Sequence, residues 1–155
     1  MIKLGIIGGI GSGKSFIAKL FKSPVFNADK EVNYLYKNSK NCFKKLKNQI
    51  PKFVKSFPIS KKELIAAIDH NSANLKKISL IIHPLVRKKM NTFLKENKKN
   101  KIVILDVPLL VENKLYEKDY ILVFVDSKKS KVLNRLKKRQ NYNANILKKL
   151  RENQV

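Results

Sequence analysis

The sequence predicts an α/β fold in which a parallel sheet lies between helical layers. Short apolar runs at Lys3 to Ile7, Ile102 to Leu105 and Tyr120 to Val125 have the unbroken, β-branched character of interior parallel strands, and helical segments separate them. The first run passes through the glycine-rich stretch GGIGSGKS straight into helical spacing. Between residues 38 and 99 strand character gives way to lysine-rich helical segments, the mark of an insertion on an α/β frame.

Each element has a local reason. After the Lys3 to Ile7 strand and the glycine turn, a helix is expected from Lys14 to Lys22. Val25 and Phe26 form a second short strand, leading into Asn27, Ala28 and Asp29, where another helix starts. Inside the insertion, helical spacing joins Cys42, Phe43, Leu46 and Ile50, then Leu64, Ala67 and Ile68, then Leu75, Ile78, Ile81 and Ile82. Pro51, Pro58 and Pro84 punctuate it. Ser60 followed by Glu63 is a capping box that opens one of these helices. The frame resumes with the strand that ends in Asp106, then the strand that ends in Asp126, then a helix over Lys129 to Arg139. Residues 1–37 and 100–155 therefore form the core, and 38–99 the insertion.

The totals narrow the function classes. A chain of 155 residues is one domain in size, and no apolar run approaches the ~18 to 20 residues of a membrane span. The N-terminal apolar run meets Gly8, Gly9 and Gly11 and not a cleavage site, so a cytoplasmic protein is expected. Cys42 is the single cysteine, which excludes an intrachain disulfide and a thiolate zinc site. The 35 Lys and Arg against 11 Asp and Glu give a formal charge of +24. That field suits nucleic acid, anionic membranes or polyphosphates, or reflects a lysine-biased composition with solvated faces. Nucleic acid is disfavoured, because there is no RNA-recognition signature, zinc spacing or run of interleaved aromatics.

Gly8 to Ser15 completes the pattern G-x-x-x-x-G-K-[ST] between a strand and a helix. The backbone N–H groups of Gly9, Ile10, Gly11, Ser12 and Gly13 can converge on phosphates, as can those of Lys14 and Ser15. Lys14 would reach the β- and γ-phosphates of ATP, and the Ser15 hydroxyl would ligate Mg²⁺. Asp106, at the end of an apolar strand, is placed as a second Mg²⁺ group or as a turn residue. Asp29 is equally a general base for an attacking hydroxyl and a helix cap. Arg135 and Arg139, one helical turn apart, can face one phosphoryl group together or simply decorate a surface. His83, before Pro84, is a ligand or a core histidine.

These pieces in this order resemble the dephospho-CoA kinase family, P-loop kinases of the nucleoside-monophosphate kinase type. The matching segments are GIIGGIGSGKS, NADKEV in place of the family's I-D-A-D, IIHPLVRKKM, LDVPLLVENKLY and NRLKKRQNYN. The resemblance implies the three-layer P-loop NTPase fold, with a helical substrate-binding insertion for the CoA moiety and a helical lid around residues 135–145. It implies ATP and Mg²⁺ as cofactors and transfer of the γ-phosphoryl group to the ribose 3′-hydroxyl of dephospho-CoA, the last step of coenzyme A synthesis. Asp29 matches the second aspartate of the D-A-D segment, the proposed base. His83 and Arg87 would border the acceptor, with Asp106, Pro108, Leu109 and Glu112, while Arg135 and Arg139 would belong to the lid.

Two departures stand out. Asn27 replaces the first aspartate of the D-A-D pair, keeping a hydrogen-bonding group and losing a charge. In the family, the glutamine matched by Gln154 is followed by another strand, an I-x-N segment and a closing helix, whereas this sequence stops at Val155. A truncated C-terminus is therefore expected, with an uncovered sheet edge at Tyr120 to Val125, reduced stability and weak ATP binding. The alternatives are another small-molecule P-loop kinase, a basic nucleic-acid binder, and a folded but inactive remnant. The oligomeric state is not legible in the sequence.

Overall fold

A computed structural model of the chain describes residues 1–107 and 119–137. In chain order the elements are β1 (Ile2–Ile7), α1 (Lys14–Leu20), β2 (Val25–Asn27), α2 (Ala28–Asn38) and α3 (Lys40–Gln49). There follow α4 (Lys61–His70), α5 (Ala73–Glu96), β3 (Ile102–Asp106), β4 (Tyr120–Phe124) and α6 (Lys129–Lys137). They divide into two compact units, Met1–Asn27 with the chain from Phe93 onward, and Ala28–Thr92. The division falls earlier at both ends than residues 38 and 99: α2 packs with α3 of the second unit, and Phe93 packs on Phe26 of the first, with ring centroids 5.6 Å apart. Among the described residues, no helix is long and apolar enough to cross a membrane.

The first unit is built on a parallel sheet of order β2-β3-β1-β4. Its core joins Leu4 and Ile6 of β1, Ala18 of α1 and Ile104 of β3, with Ile17, Val25, Ile102, Val123 and Val125 packed against them. Ile6, Val103, Ile104 and Leu105 are fully covered, and each such side chain contributes about 1.5–3 kcal/mol by leaving water. The register sets Ile6 and Asn27 on either side of Asp106. Two strand ends, those of β2 and β3, thus bring Asn27 and Asp106 side by side at the carboxyl edge of the sheet, where ligands of open α/β folds gather.

Three local expectations are corrected. The helix after the glycine turn stops at Leu20, and Lys22 takes a left-handed φ of 50°. The strand after residue 119, interior by its apolar run alone, lies at the edge of the described sheet with Ile121, Leu122 and Phe124 exposed, in agreement with the uncovered edge also expected at Tyr120 to Val125. Pro84 does not end a helix, since α5 runs through it for 24 residues. Proline costs a helix one N–H donor, to the carbonyl four residues back. That carbonyl belongs to Leu80, whose side chain is exposed, so the cost falls on the outer, hydrated side of the helix.

In the second unit, Leu35, Cys42 and Leu46 are buried, and the Ile59 N–H donates to the Tyr36 carbonyl at 3.0 Å. Serine side chains cap two of the unit's helix starts. Ser39 Oγ accepts from the Cys42 N–H at 3.1 Å, and Ser60 Oγ accepts from the Lys62 N–H at 3.2 Å. The expected capping box is complete, because the Glu63 carboxylate accepts from the Ser60 N–H at 3.2 Å.

Gly8 follows β1 with a φ of +139°, and a Cβ there would run into the carbonyl oxygen of Val125. That carbonyl is backbone and cannot rotate away. Gly8→Ala is therefore expected to cost about 1–3 kcal/mol or more of stability from backbone strain alone. A thermal melt of the variant checks this, and an unchanged midpoint would show that the turn relaxes freely.

Candidate functional site

The glycine turn between β1 and α1 is shaped by backbone that only glycine adopts easily. Gly8, Gly11 and Gly13 have φ values of 139°, 82° and 105°, and Gly13 is also the N-cap of α1. The turn has a closed side and an open side. A Cβ on Gly11 would meet Val132 Cγ1 at 3.0 Å and Leu136 Cγ at 3.2 Å, and one on Gly13 would meet Arg135 Nη1 at 3.3 Å. At Gly9 a Cβ would meet nothing within 4 Å. Helix α6 thus supports the turn from one side through Val132, Arg135 and Leu136, which share a helix face at i, i+3 and i+4.

Polar groups complete the turn. Lys14 Nζ donates to the carbonyls of Gly8 at 2.6 Å and Gly9 at 2.9 Å, which holds its charge at the mouth of the loop. The Ser12 side chain is buried, and its Oγ has no hydrogen-bond partner among the described residues. Ser15 is exposed in the first turn of α1. Arg135 Nη1 donates to the Gly11 carbonyl at 3.2 Å, the Ser12 carbonyl at 3.0 Å and Ser127 Oγ at 3.2 Å. Ser127 Oγ donates in turn to the Ser12 carbonyl at 2.7 Å.

At the strand ends, the Asp106 carboxylate is buried, and its Oδ2 accepts from Asn27 Nδ2 at 2.6 Å. The short bond is possible because position 27 carries an amide. A second carboxylate there would face Asp106 as a like charge. Asn27→Asp is therefore expected to lower stability at neutral pH in the absence of divalent cations, and added Mg²⁺ is expected to recover part of the loss. Melts with and without Mg²⁺ check this, and a variant as stable as the parent without metal would show that the pair bears no charge constraint.

The other predicted residues fall as follows. Asp29 is exposed in the first turn of α2, two residues along the chain from Asn27, where an acidic side chain also complements the helix N-terminus. His83 and Arg87 lie one turn apart on α5. Partial burial pushes the His83 imidazole below its ordinary pKa, and the Arg87 charge adds to that, so the neutral ring is favoured. Pro108, Leu109, Glu112 and Arg139 lie outside the described residues, as does most of the 135–145 stretch. The structure thus groups Gly8 to Ser15 with Arg135, and Asp106 with Asn27. Asp29, His83 and Arg87 belong to the second unit.

The donor set suits a polyphosphate with a hard cation. A glycine turn with an open side, a lysine charge at its mouth and an orphaned buried hydroxyl within it fit phosphate oxygens. Among the described residues there is no cluster of three or more His, Cys, Asp or Glu side chains that would cage a metal by itself. Mg²⁺ needs no such cage, since it keeps waters and takes one or two protein oxygens together with substrate phosphates. Ser15 and Asp106 could provide those oxygens.

Sequence reading missed Ser127 entirely and did not place Arg135 beneath the turn. The spacing of Val132, Arg135 and Leu136 on one face was the available signal for the latter.

Comparison with known proteins agrees with the motif order. The family model described as "CoaE: Dephospho-CoA kinase" matches residues 2–155. The chain is 33% identical over 115 residues to the dephospho-CoA kinase of Zymomonas mobilis, with 72% of the chain and 58% of that protein covered. It is 34% identical over 131 residues to the dephospho-CoA kinase of a Wolbachia from Brugia malayi, with 80% and 67% covered. The chain therefore matches about three fifths to two thirds of the length of these relatives. The crystal structure of TT1252 from Thermus thermophilus shares the fold, with a TM-score of 0.75 over 99% of this chain and 80% of that one at 24% identity.

Proposed function

Because the chain belongs to the dephospho-CoA kinase family, we propose that it transfers the γ-phosphoryl group of ATP to the ribose 3′-hydroxyl of dephospho-CoA, giving coenzyme A and ADP. The observation that carries this is the complete GGIGSGKS turn with Lys14 held across its mouth, at the end of an interior strand of a parallel sheet. Family membership selects the acceptor. The single cysteine, free and buried, suits action in the cytoplasm.

The residues divide the work. Backbone N–H groups from Gly9 to Ser15 hold the phosphate chain, and the Lys14 ammonium offsets charge that builds on the β,γ-bridging oxygen as its bond to phosphorus breaks. Ser15 and Asp106 would hold Mg²⁺, which would neutralise further phosphate charge. Asn27 anchors one oxygen of Asp106 and so fixes the direction of the other. Asp29 takes the proton from the 3′-hydroxyl while the new oxygen–phosphorus bond forms. His83, Arg87, Pro108, Leu109 and Glu112 are proposed to border the acceptor. Arg139 is proposed to bring positive charge to the phosphoryl group in transit, whereas Arg135, expected to share that role, spends its guanidinium on the Gly11 and Ser12 carbonyls on the closed side of the turn.

An acceptor panel tests the proposal. With ATP and Mg²⁺, dephospho-CoA is expected to be the favoured acceptor by at least about tenfold in kcat/KM over nucleosides and nucleoside monophosphates. Equal or better use of a nucleoside would assign the chain to a different small-molecule kinase activity.

A further inference from the structure

We infer that Ser127 and Arg135 are positioning residues for nucleotide binding, which hold the peptide between Ser12 and Gly13 by its carbonyl and so aim the Gly13 N–H at the phosphates. This rests on the turn being the phosphate cradle.

The Ser12 carbonyl accepts from Ser127 Oγ at 2.7 Å and from Arg135 Nη1 at 3.0 Å, so both lone pairs of that oxygen are engaged, one of them by a charged donor. The donors are themselves fixed. Arg135 Nη1 donates to Ser127 Oγ at 3.2 Å, and the Ser127 N–H donates to Asp126 Oδ1 at 2.7 Å. In a planar trans peptide the C=O and the following N–H point in opposite directions. Both donors to the Ser12 carbonyl come from the α6 side, which is the closed side of the turn. The Gly13 N–H therefore points to the open side.

Arg135 also holds the Gly11 carbonyl, at 3.2 Å, but the N–H of that peptide, on Ser12, is directed to the Gly9 carbonyl at 3.2 Å. Only the peptide after Ser12 is both clamped from below and directed at the open side by these contacts. A carbonyl that accepts two hydrogen bonds polarises its amide, so the clamp strengthens the Gly13 N–H as a donor while it fixes its direction. Leu136 and Val132 close the floor beneath Gly11, which keeps the guanidinium from following the loop sideways. Neither Ser127 nor Arg135 is part of the glycine motif, and both reach it from more than 110 residues away in the chain.

The test compares Ser127→Ala and Ser127→Thr with the parent chain in ATP titrations, in melts without ligand, and in NMR spectra of the Gly13 amide. Ser127→Ala is expected to weaken ATP binding about tenfold, with little change in the ligand-free midpoint, and to reduce the downfield movement of the Gly13 amide proton on ATP addition. Ser127→Thr keeps the hydroxyl and is expected to restore both. Unchanged ATP affinity in Ser127→Ala would overturn the inference, as would a threonine variant no better than alanine, or a loss of affinity fully matched by a loss of ligand-free stability. Failure of the parent chain itself to bind ATP would instead overturn the phosphate-cradle assignment on which the inference stands.

Discussion

Lys14→Ala is expected to lower phosphoryl transfer by about 10²- to 10³-fold while leaving the fold intact. Nζ is the one side-chain cation of the motif, and the carbonyls of Gly8 and Gly9 hold it at 2.6 and 2.9 Å over the loop mouth. Replacing it with methyl removes a charge from the place where the transferring group gathers negative charge. The structural loss is small by comparison, because the lysine is only partly buried and the carbonyls it leaves can take water. Steady-state rates with a parallel melt separate the two effects. A variant that turns over within a factor of three of the parent would remove Lys14 from the chemistry.

Asp29→Asn is expected to reduce kcat by about 10²- to 10⁴-fold, with ATP affinity nearly unchanged. The substitution keeps size and a hydrogen-bonding oxygen but cannot take a proton. Asp29 is exposed in the first turn of α2, where an acidic side chain interacts favourably with the helix N-terminus by about 0.3–1 kcal/mol. Glu31 in the same turn supplies part of that interaction in any case. Single-turnover kinetics with ATP in excess check the prediction. A kcat close to the parent's would reduce Asp29 to a helix-terminal acid, the other role its position allows.

What was legible in the sequence was local. The Lys3 to Ile7 run, the glycine turn and the Ser60–Glu63 capping box are each decided by residues a few positions apart, and the expected strand, turn and capping box are in place. Pro84 misled because proline chemistry is local but its cost is not. The carbonyl it leaves without a donor lies on the exposed side of α5, where the helix can continue. The run from Tyr120 looked like an interior strand because apolar content records burial in general, without saying which neighbour provides it. The contacts that organise the site are the least local of all. Asn27 meets Asp106 from 79 positions away, and Arg135 meets Ser12 from 123, through sheet register and helix packing that no short window contains. Asn27 was noticed as a departure from a motif, yet its bond to the Asp106 carboxylate emerges only once β2 and β3 are paired.

The most direct measurement is mass-spectrometric detection of coenzyme A after incubation of the purified chain with ATP, Mg²⁺ and dephospho-CoA, with Lys14→Ala as control. Coenzyme A formed by the parent chain and not by the control is the expected result. A folded parent chain that binds ATP and dephospho-CoA yet forms no coenzyme A would contradict the proposed activity.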